Sequence, residues 1–311
     1  MKRKLIRQGH NTLTITIPSS WAQEHHLQAG DEIELEQKEN GLHLHTHAQP
    51  QVKRAHFDIT NLPIPAIWKY FMGVYREGYN EVKVAFDEKL QLDNPYKYLV
   101  QHRQGQVDPT YRKRHPVDVI QRFVDRFIGF EIVSQGKGHV IIKDMGHPDA
   151  KEFDNAFRRV FLLINNMTAE TLEAIKHNKT DDLAHIHGAD INLDKFHDYC
   201  ARIINSTNIF SRQKTQLLSS TLYLLELVGD QVKNISAHLY EDFPHSKYDN
   251  IRDLAQAAAM QWRGYYELHY SYNEKKIRAM ANLDKEFYLA TSYMQKLSRK
   301  GERDVAQHFA T

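Results

Sequence analysis

Alternating apolar and polar positions dominate the start of the chain. In the segment "NTLTITIP", Leu13, Ile15 and Ile17 alternate with threonine, which predicts a half-buried strand. A short helix and two more alternating segments follow before residue 47. Residues 1–47 are therefore predicted to form a small β domain. Four short strands bury too little surface to fold alone, so a second chain is expected to complete the core.

The next segment, residues 51–146, changes between strand and helix patterns. "HFDIT", "PAIWKYFMGVYREG" and "EVKVAFD" predict a strand, a helix and a strand, and a helix with two further strands is predicted near the end of the segment. The order β-α-β followed by α-β-β indicates a small α+β sandwich with helices on one face of a sheet.

From residue 147 to residue 311 the pattern is helical. Helices are predicted at about 149–177, 180–208, 211–241, 247–271 and 273–299. The tetrapeptide Asn-Leu-Asp-Lys at 192–195 recurs at 282–285, which favours two copies of one three-helix unit, the second of them truncated. The fold class predicted for the whole chain is multidomain α+β with an all-α C-terminal part.

Composition limits the classes of partner. The formal net charge is only +2, so binding to DNA requires a local basic patch, and Lys2, Arg3, Lys4 and Arg7 are the candidates. One cysteine, Cys200, excludes an intramolecular disulfide. No apolar run approaches the length of a membrane span, and the N-terminus does not have a signal-peptide pattern. We therefore expect a cytoplasmic protein that does not insert into membranes.

Acidic residues follow a four-residue spacing on two consecutive predicted helices. Asp190 and Asp194 share one helical face, and Glu226, Asp230 and Asn234 share another. Facing ladders of oxygen ligands would suit Mg²⁺, Mn²⁺, Ca²⁺ or iron. The alternatives are solvated helix faces, or acids that bind a basic partner.

The N-terminal pattern resembles a known family. A strand ending in "IP", a short helix, and "LQAGDEIEL" before a closing strand are similar to the swapped-hairpin AbrB/SpoVT domain. The resemblance implies an interleaved homodimer and a basic face that contacts DNA, here through Lys2, Arg3, Lys4 and Arg7. The segment "SSWAQEHH" contains no Lys or Arg where DNA-binding members have arginine, so a domain used only for dimerisation is the alternative.

The helical part resembles a second family. "ADINLD" followed by "LLELVGDQVKNI" is similar to the metal-binding motifs of PhoU three-helix bundles, and an AbrB-like head before such bundles resembles archaeal-type PhoU homologues. The resemblance implies that Asp190, Asp194, Glu226, Asp230 and Asn234 bind a divalent metal or iron. Two departures are Leu227 in place of the motif arginine, and Met280 in the second copy at the position of Asp190.

These resemblances lead to two functional hypotheses. The first is a non-enzymatic regulator of phosphate uptake that contacts the ATPase of a phosphate transporter or a signalling kinase. The alternative is an AbrB-type DNA-binding transcription factor whose helices are an effector or oligomerisation domain without a phosphate role. A metal-dependent hydrolase is disfavoured because no nucleophile or acid–base pair accompanies the motifs.

Overall fold

The computed structural model describes residues 2–38, 41–46, 52–92, 113–146, 149–177, 179, 183, 185–207, 209–242, 249–292, 297 and 300–310. The chain divides into two compact units, Met1–Val52 and Lys53–Thr311. In the described part of the chain, no helix combines the length and the apolar character needed to cross a membrane.

The N-terminal unit consists of two hairpins and a short helix. Its elements are β1 (Ile6–Gln8), β2 (Thr12–Thr14), α1 (Ser19–Glu24), β3 (Ile33–Lys38) and β4 (Gly41–Thr46). β1 pairs only with β2, and β3 pairs only with β4, both antiparallel, so the described strands form two separate two-stranded sheets. Two isolated hairpins give the predicted strand content but no continuous sheet.

The described side chains of the N-terminal unit form no buried core. None of its side chains whose burial is described is buried. Its exposed apolar side chains are Leu5, Ile6, Leu13, Ile15, Leu35, Leu42 and Leu44. A fold of this size cannot be stable with its apolar positions in water.

The second unit begins with an α+β layer. Its elements are β5 (Arg54–Asp58), α2 (Ile64–Arg76), β6 (Glu81–Ala85), α3 (Pro116–Val124), β7 (Phe130–Gly136) and β8 (His139–Asp144). The sheet order is β5-β6-β8-β7; β5 and β6 are parallel and are joined through α2, and the other pairs are antiparallel. The order of strands and helices along the chain agrees with the predicted β-α-β and α-β-β segments.

The apolar positions of α2 explain its orientation. Ile64, Ile67, Phe71 and Tyr75 recur at helical spacing, and all four are buried. They pack with residues of β6, β8 and α3 in the same apolar core. The helix therefore covers one face of the sheet and leaves its C-terminal end near the following helical region.

Six α-helices follow in the part of the second unit that the structure describes. They are α4 (Ala150–His177), α5 (Ile186–Ser206), α6 (Arg212–Asp242), α7 (Arg252–Tyr270), α8 (Glu274–Ser292) and α9 (Lys300–Ala310). α4, α5 and α6 pack against one another as a three-helix bundle, in which the buried hydroxyl oxygens of Thr171 and Ser236 lie 2.7 Å apart. α5 begins at Ile186, later than the predicted residue 180.

The second set of helices is arranged differently from the first. α8 packs mainly against α7, whereas α9 packs mainly against α6. No described side chain of α8 is buried. The described helices of the second set therefore do not repeat the packing of the first set, and the repetition of one three-helix unit stays a prediction.

α5 joins the bundle to the α+β layer through a buried arginine. The Arg202 guanidinium is 1% exposed and donates to the Tyr75 carbonyl at 2.6 Å, the Tyr79 carbonyl at 2.8 Å and Asp144 Oδ2 at 2.6 Å. It also lies 4.9 Å from the ring centre of Tyr75 and 5.0 Å from that of Phe130. These contacts fix α5 to the end of α2 and to the sheet.

A glycine permits this close approach. Gly78 follows α2 with a φ of +76°, and a Cβ built there would lie 2.5 Å from Cβ of Ser206. Both the backbone conformation and the space therefore require glycine.

The predicted domain boundary between residues 146 and 147 falls at residues 147 and 148, which are outside the described residues. The α+β layer and the helices that follow it belong to one compact unit.

Replacing Arg202 by Met is expected to lower the free energy of unfolding by about 3–5 kcal/mol, because the Asp144 carboxylate stays buried without its cation. Urea denaturation followed by circular dichroism measures the change. Arg263→Met, at a side chain that is 79% exposed in its pair with Glu267, is the control and should change stability by no more than about 0.5 kcal/mol. Equal effects of the two substitutions would contradict the structural role of Arg202.

Candidate functional site

The predicted acidic ladders lie on helices that pack closely together. A Cβ added to Gly229 on α6 would lie 2.8 Å from Cδ1 of Leu193 on α5. The missing side chain therefore lets the two helices approach each other at the level of the acids. Gly229, which the sequence pattern included only as part of a motif, has this packing function.

Eight charged residues surround this crossing, and we call them the charge cluster. They are Asp190, Asp194 and Asp198 of α5, Glu226, Asp230 and Lys233 of α6, and Arg76 and Arg126 of the α+β layer.

Lys233 bridges the two acidic ladders. Its Nζ lies 3.0 Å from Asp190 Oδ2 and also donates to Asp230 Oδ1. Burial alone lowers the pKa of Lys233, but the hydrogen bonds that Lys233 donates to Asp230 and Asp190, together with the charges of these carboxylates, reverse that effect and raise the pKa above its usual value. The lysine therefore remains an ammonium that is shared by α5 and α6.

Asp190 is the most buried of the five predicted ligands. It is 4% exposed, and Oδ1 has no hydrogen-bond partner among the described residues. Burial, together with the nearby Asp194 carboxylate, raises the pKa of Asp190 to about 6, even though Lys233 opposes the shift. One oxygen of Asp190 is thus neutralised by Lys233 and the other is unsatisfied.

Asp194 is paired with a residue from the α+β layer. Its Oδ2 lies 3.1 Å from Nη2 of Arg126, and the Arg126 guanidinium lies 5.2 Å from the ring centre of Trp68. Burial raises the pKa of Asp194, and the Arg126 cation partly offsets this effect. The carboxylate therefore faces the α+β layer as well as α6.

Asp198 continues the α5 ladder by one more turn. It is 2% exposed and binds Arg76 through Oδ1, at 2.6 Å from Nε and 2.5 Å from Nη2. Two guanidinium groups from outside the bundle thus neutralise two successive acids of α5.

The remaining predicted ligands lie on α6. Glu226 is half-buried, and burial followed by the Asp230 carboxylate raises its pKa. Asn234, one turn beyond Asp230, is also partly buried. All five predicted residues therefore lie on the two packed helices, and Asp190 and Asp230 contact the same Lys233 ammonium.

In this arrangement the cluster does not fit a metal centre. The ammonium of Lys233 lies between Asp190 and Asp230, where an ion bridging the two helices would bind. Within the described ranges, no group of three or more His, Cys, Asp or Glu side chains is arranged to hold a metal ion. Metal binding by Asp190, Asp194, Glu226, Asp230 and Asn234 stays a prediction, and it requires Lys233 to move away.

Sequence reasoning missed the cations and one acid of the cluster. The three-residue spacing from Asp230 to Lys233 and the four-residue spacing from Asp194 to Asp198 were available as signals. Arg76 and Arg126 are far from α5 in sequence, and no local pattern identifies them. With all groups ionised, the five carboxylates and three cations leave two formal negative charges.

The predicted DNA-binding residues lie together at the start of the N-terminal unit. Lys2, Arg3, Lys4 and Arg7 are all exposed, and Arg7 is opposite Leu13 in the β1–β2 hairpin. Exposed cations on a short hairpin can contact phosphate groups without desolvation of buried charge.

A comparison with protein families identifies the N-terminal segment. Residues 6–54 match the family described as antidote-toxin recognition MazE, bacterial antitoxin. The match supports the predicted AbrB-like domain at the N-terminus and the strand content found there. It covers a minor part of the chain, and the helical region has no family match that corresponds to the PhoU resemblance.

Neither the curated proteins nor the solved structures yield a match to this chain.

The raised pKa of Asp190 predicts a pH-dependent effect of Asp190→Asn. Because the folded protein holds this proton more tightly than the unfolded chain, the stabilisation from Asp190 is complete below its ordinary pKa of 3.8 and is lost as the pH rises through about 6. The asparagine of the variant cannot ionise, so the variant does not lose this stabilisation as the pH rises. Its free energy of unfolding relative to wild type should therefore increase by about 2–3 kcal/mol between pH 4 and pH 7.

Urea denaturation at several pH values measures this difference. Asp284→Asn is the matched control, because Asp284 is the exposed aspartate of the repeated Asn-Leu-Asp-Lys tetrapeptide on α8. A stability difference for Asp190→Asn that is independent of pH would contradict the assigned ionisation.

Proposed function

We propose that the chain is a regulator that dimerises through its N-terminal unit, contacts DNA through Lys2, Arg3, Lys4 and Arg7, and uses its second unit as an effector module. The observation that supports this most strongly is the lack of any buried side chain among those described in the N-terminal unit. Apolar positions on both hairpins require a second surface to cover them, and a second copy supplies a self-complementary one.

The family match agrees with this proposal. A MazE/AbrB-like domain favours a DNA-binding or antitoxin-type regulator. The exposed basic residues on and before β1 favour contact with phosphate groups, because exposed cations can neutralise phosphates without desolvation of buried charge. DNA binding is therefore expected to be strongly salt-dependent.

The second unit contributes binding or signalling in this proposal, and the chain is not an enzyme. Four of the five acids of the charge cluster, Asp190, Asp194, Asp198 and Asp230, are held by Lys233, Arg76 and Arg126, so these four are unsuited to activate water as free carboxylates. A cytoplasmic location is part of the same proposal.

The charge cluster supports a second candidate function, in phosphate signalling. With Lys233 moved away, the unsatisfied Oδ1 of Asp190 and the two uncompensated negative charges would attract a divalent cation, as the PhoU resemblance implies. In this alternative, metal binding by the helices would regulate contact with the ATPase of a phosphate transporter or with a signalling kinase. It would add to the dimeric N-terminal unit without replacing it.

The first prediction from the proposed function concerns mass in solution. The wild-type chain is expected to be a dimer by light scattering, and Leu13→Asp should shift it towards monomer because a carboxylate would enter the apolar interface. Tyr272→Asp, at a side chain that is 74% exposed in the second unit, is the control and should leave the dimer intact. A monomeric wild-type chain would refute the proposal.

The second prediction concerns DNA. Lys4→Gln/Arg7→Gln is expected to weaken binding to a labelled mixed-sequence duplex, and to reduce the steepness of the logarithmic salt dependence by up to about 4 for the dimer. Fluorescence anisotropy at several NaCl concentrations measures both effects. Lys275→Gln/Arg278→Gln removes two exposed cations from α8 and should change neither. DNA binding that does not depend on salt would exclude the proposed phosphate contacts.

The third prediction separates the metal hypothesis from the dimer. If the Lys233 ammonium occupies the position of the metal ion, Lys233→Met should strengthen Mn²⁺ binding by about tenfold or more, which corresponds to about 1.4 kcal/mol. Isothermal titration calorimetry of the full chain measures the affinity. Lys233→Met/Asp190→Asn should lose the gain, and a Lys233→Met variant that binds no Mn²⁺ would remove the second candidate function.

A further inference from the structure

The outer face of α6 carries exposed leucines at regular spacing. Leu217 is 68% exposed, Leu224 is 56% exposed and Leu227 is 37% exposed. At 100° per residue, these leucines and the exposed Ser220 fall within an arc of about 80°. We call Leu217, Ser220, Leu224 and Leu227 the α6 stripe.

The surroundings of the α6 stripe also lack charge. Residues 215–225 include no Asp, Glu, Lys or Arg, although several of them are exposed. The water-facing side of a helix in a soluble protein is normally rich in charged residues. The exposed leucines and the missing charges together indicate a surface that is covered in the working form of the protein.

The same side of α6 is covered by a helix further along. Gln231 and His238 continue the spacing of the α6 stripe by seven and fourteen residues after Leu224. His308 of α9 contacts both: its Nδ1 lies 2.8 Å from Gln231 Oε1, and its ring centre lies 5.0 Å from that of His238. The C-terminal half of this side therefore binds a helix of the same chain, whereas Leu217 and Leu224 in the N-terminal half are exposed.

We propose that the α6 stripe packs against the α6 stripe of a second copy of the chain, with the two helices antiparallel. A two-fold axis near residue 222 places Leu217 opposite Leu227 of the partner copy, and Ser220 opposite Leu224. Each small side chain then faces a large one, so the two surfaces can interdigitate. Without charges on the stripe, pairing of identical surfaces brings no like-charge repulsion.

A second copy of the chain is the expected partner of the α6 stripe because the proposed function, on which this inference rests, requires a dimer. A dimer held by the N-terminal units keeps a second α6 stripe at high effective concentration, so even a modest apolar contact would be populated. An unrelated amphipathic helix would have to compete with this tethered copy.

Disulfide trapping in the full chain tests the pairing. Leu217→Cys/Leu227→Cys should form a covalent dimer under mild oxidation, because residue 217 of each copy faces residue 227 of the other. Each single substitution should give little covalent dimer, since identical positions are separated by ten residues, about 15 Å along the helices. The natural Cys200 is fully buried, and burial raises the pKa of its thiol, so it provides little background reaction.

Two controls measure specificity. Ser219→Cys places an exposed thiol on the same helix outside the α6 stripe, and it should cross-link no more than the single variants. Adding Leu224→Glu to the double-cysteine chain should reduce the yield of covalent dimer by about tenfold, because a carboxylate would be buried in the contact. Leu224 is exposed, so the circular dichroism spectrum and melting temperature should not change.

The outcomes separate this inference from the proposed function. A wild-type chain that is a dimer by light scattering, but whose double-cysteine variant forms no covalent dimer, overturns the α6 pairing alone. Efficient cross-linking by Leu217→Cys without Leu227→Cys overturns the antiparallel arrangement. A monomeric wild-type chain overturns the N-terminal dimer and the tethering that this inference requires.

Discussion

The buried guanidinium of Arg202 holds the second unit together. It satisfies two carbonyl oxygens at the end of α2 and the carboxylate of Asp144 on β8, while it stacks against two aromatic rings. A charge that is almost inaccessible to water is tolerated only when its donors are satisfied. The position of α5, and with it the position of every acid on that helix, therefore depends on contacts outside the helical bundle.

α5 places its acids against two different neighbours. Asp190 meets Lys233 of α6, whereas Asp194 and Asp198 meet Arg126 and Arg76 of the α+β layer. The acids of α5 thus form ion pairs that connect this helix to α6 and to the α+β layer. Among the described residues of the charge cluster, Asp190 is the acid that has a buried oxygen without a hydrogen-bond partner.

Local periodicity was sufficient to predict most of the elements. The bounds of α4 and α6 agree with the predicted helices to within a residue or two, because long amphipathic segments carry a strong 3.6-residue signal. The order of strands and helices along the chain in the α+β layer followed from the alternation of patterns, whereas the sheet order β5-β6-β8-β7 was not predicted. The packing of α9 against α6 could not be predicted, since the echo of Asn192–Lys195 at 282–285 says nothing about which neighbouring helix a short terminal helix will contact.

The candidate site was predictable only in part, for a similar reason. Four-residue spacing identified the acids on α5 and α6, because helix geometry alone determines which positions share a face. The arginines that neutralise Asp194 and Asp198 are separated from them in sequence by 68 and 122 residues. Spacing therefore indicated where negative charge collects, but not how it is balanced.

The origin of these guanidinium groups limits how the protein can be divided in evolution. A recombination event that transferred only the helices to another protein would separate Asp194 and Asp198 from Arg126 and Arg76, and would remove the acceptors of Arg202. Exchange of the N-terminal unit at Val52–Lys53 would keep all of these ion pairs within one segment of the chain. We therefore expect recombination to join different N-terminal units to the same second unit, and not to join these helices to a different sheet.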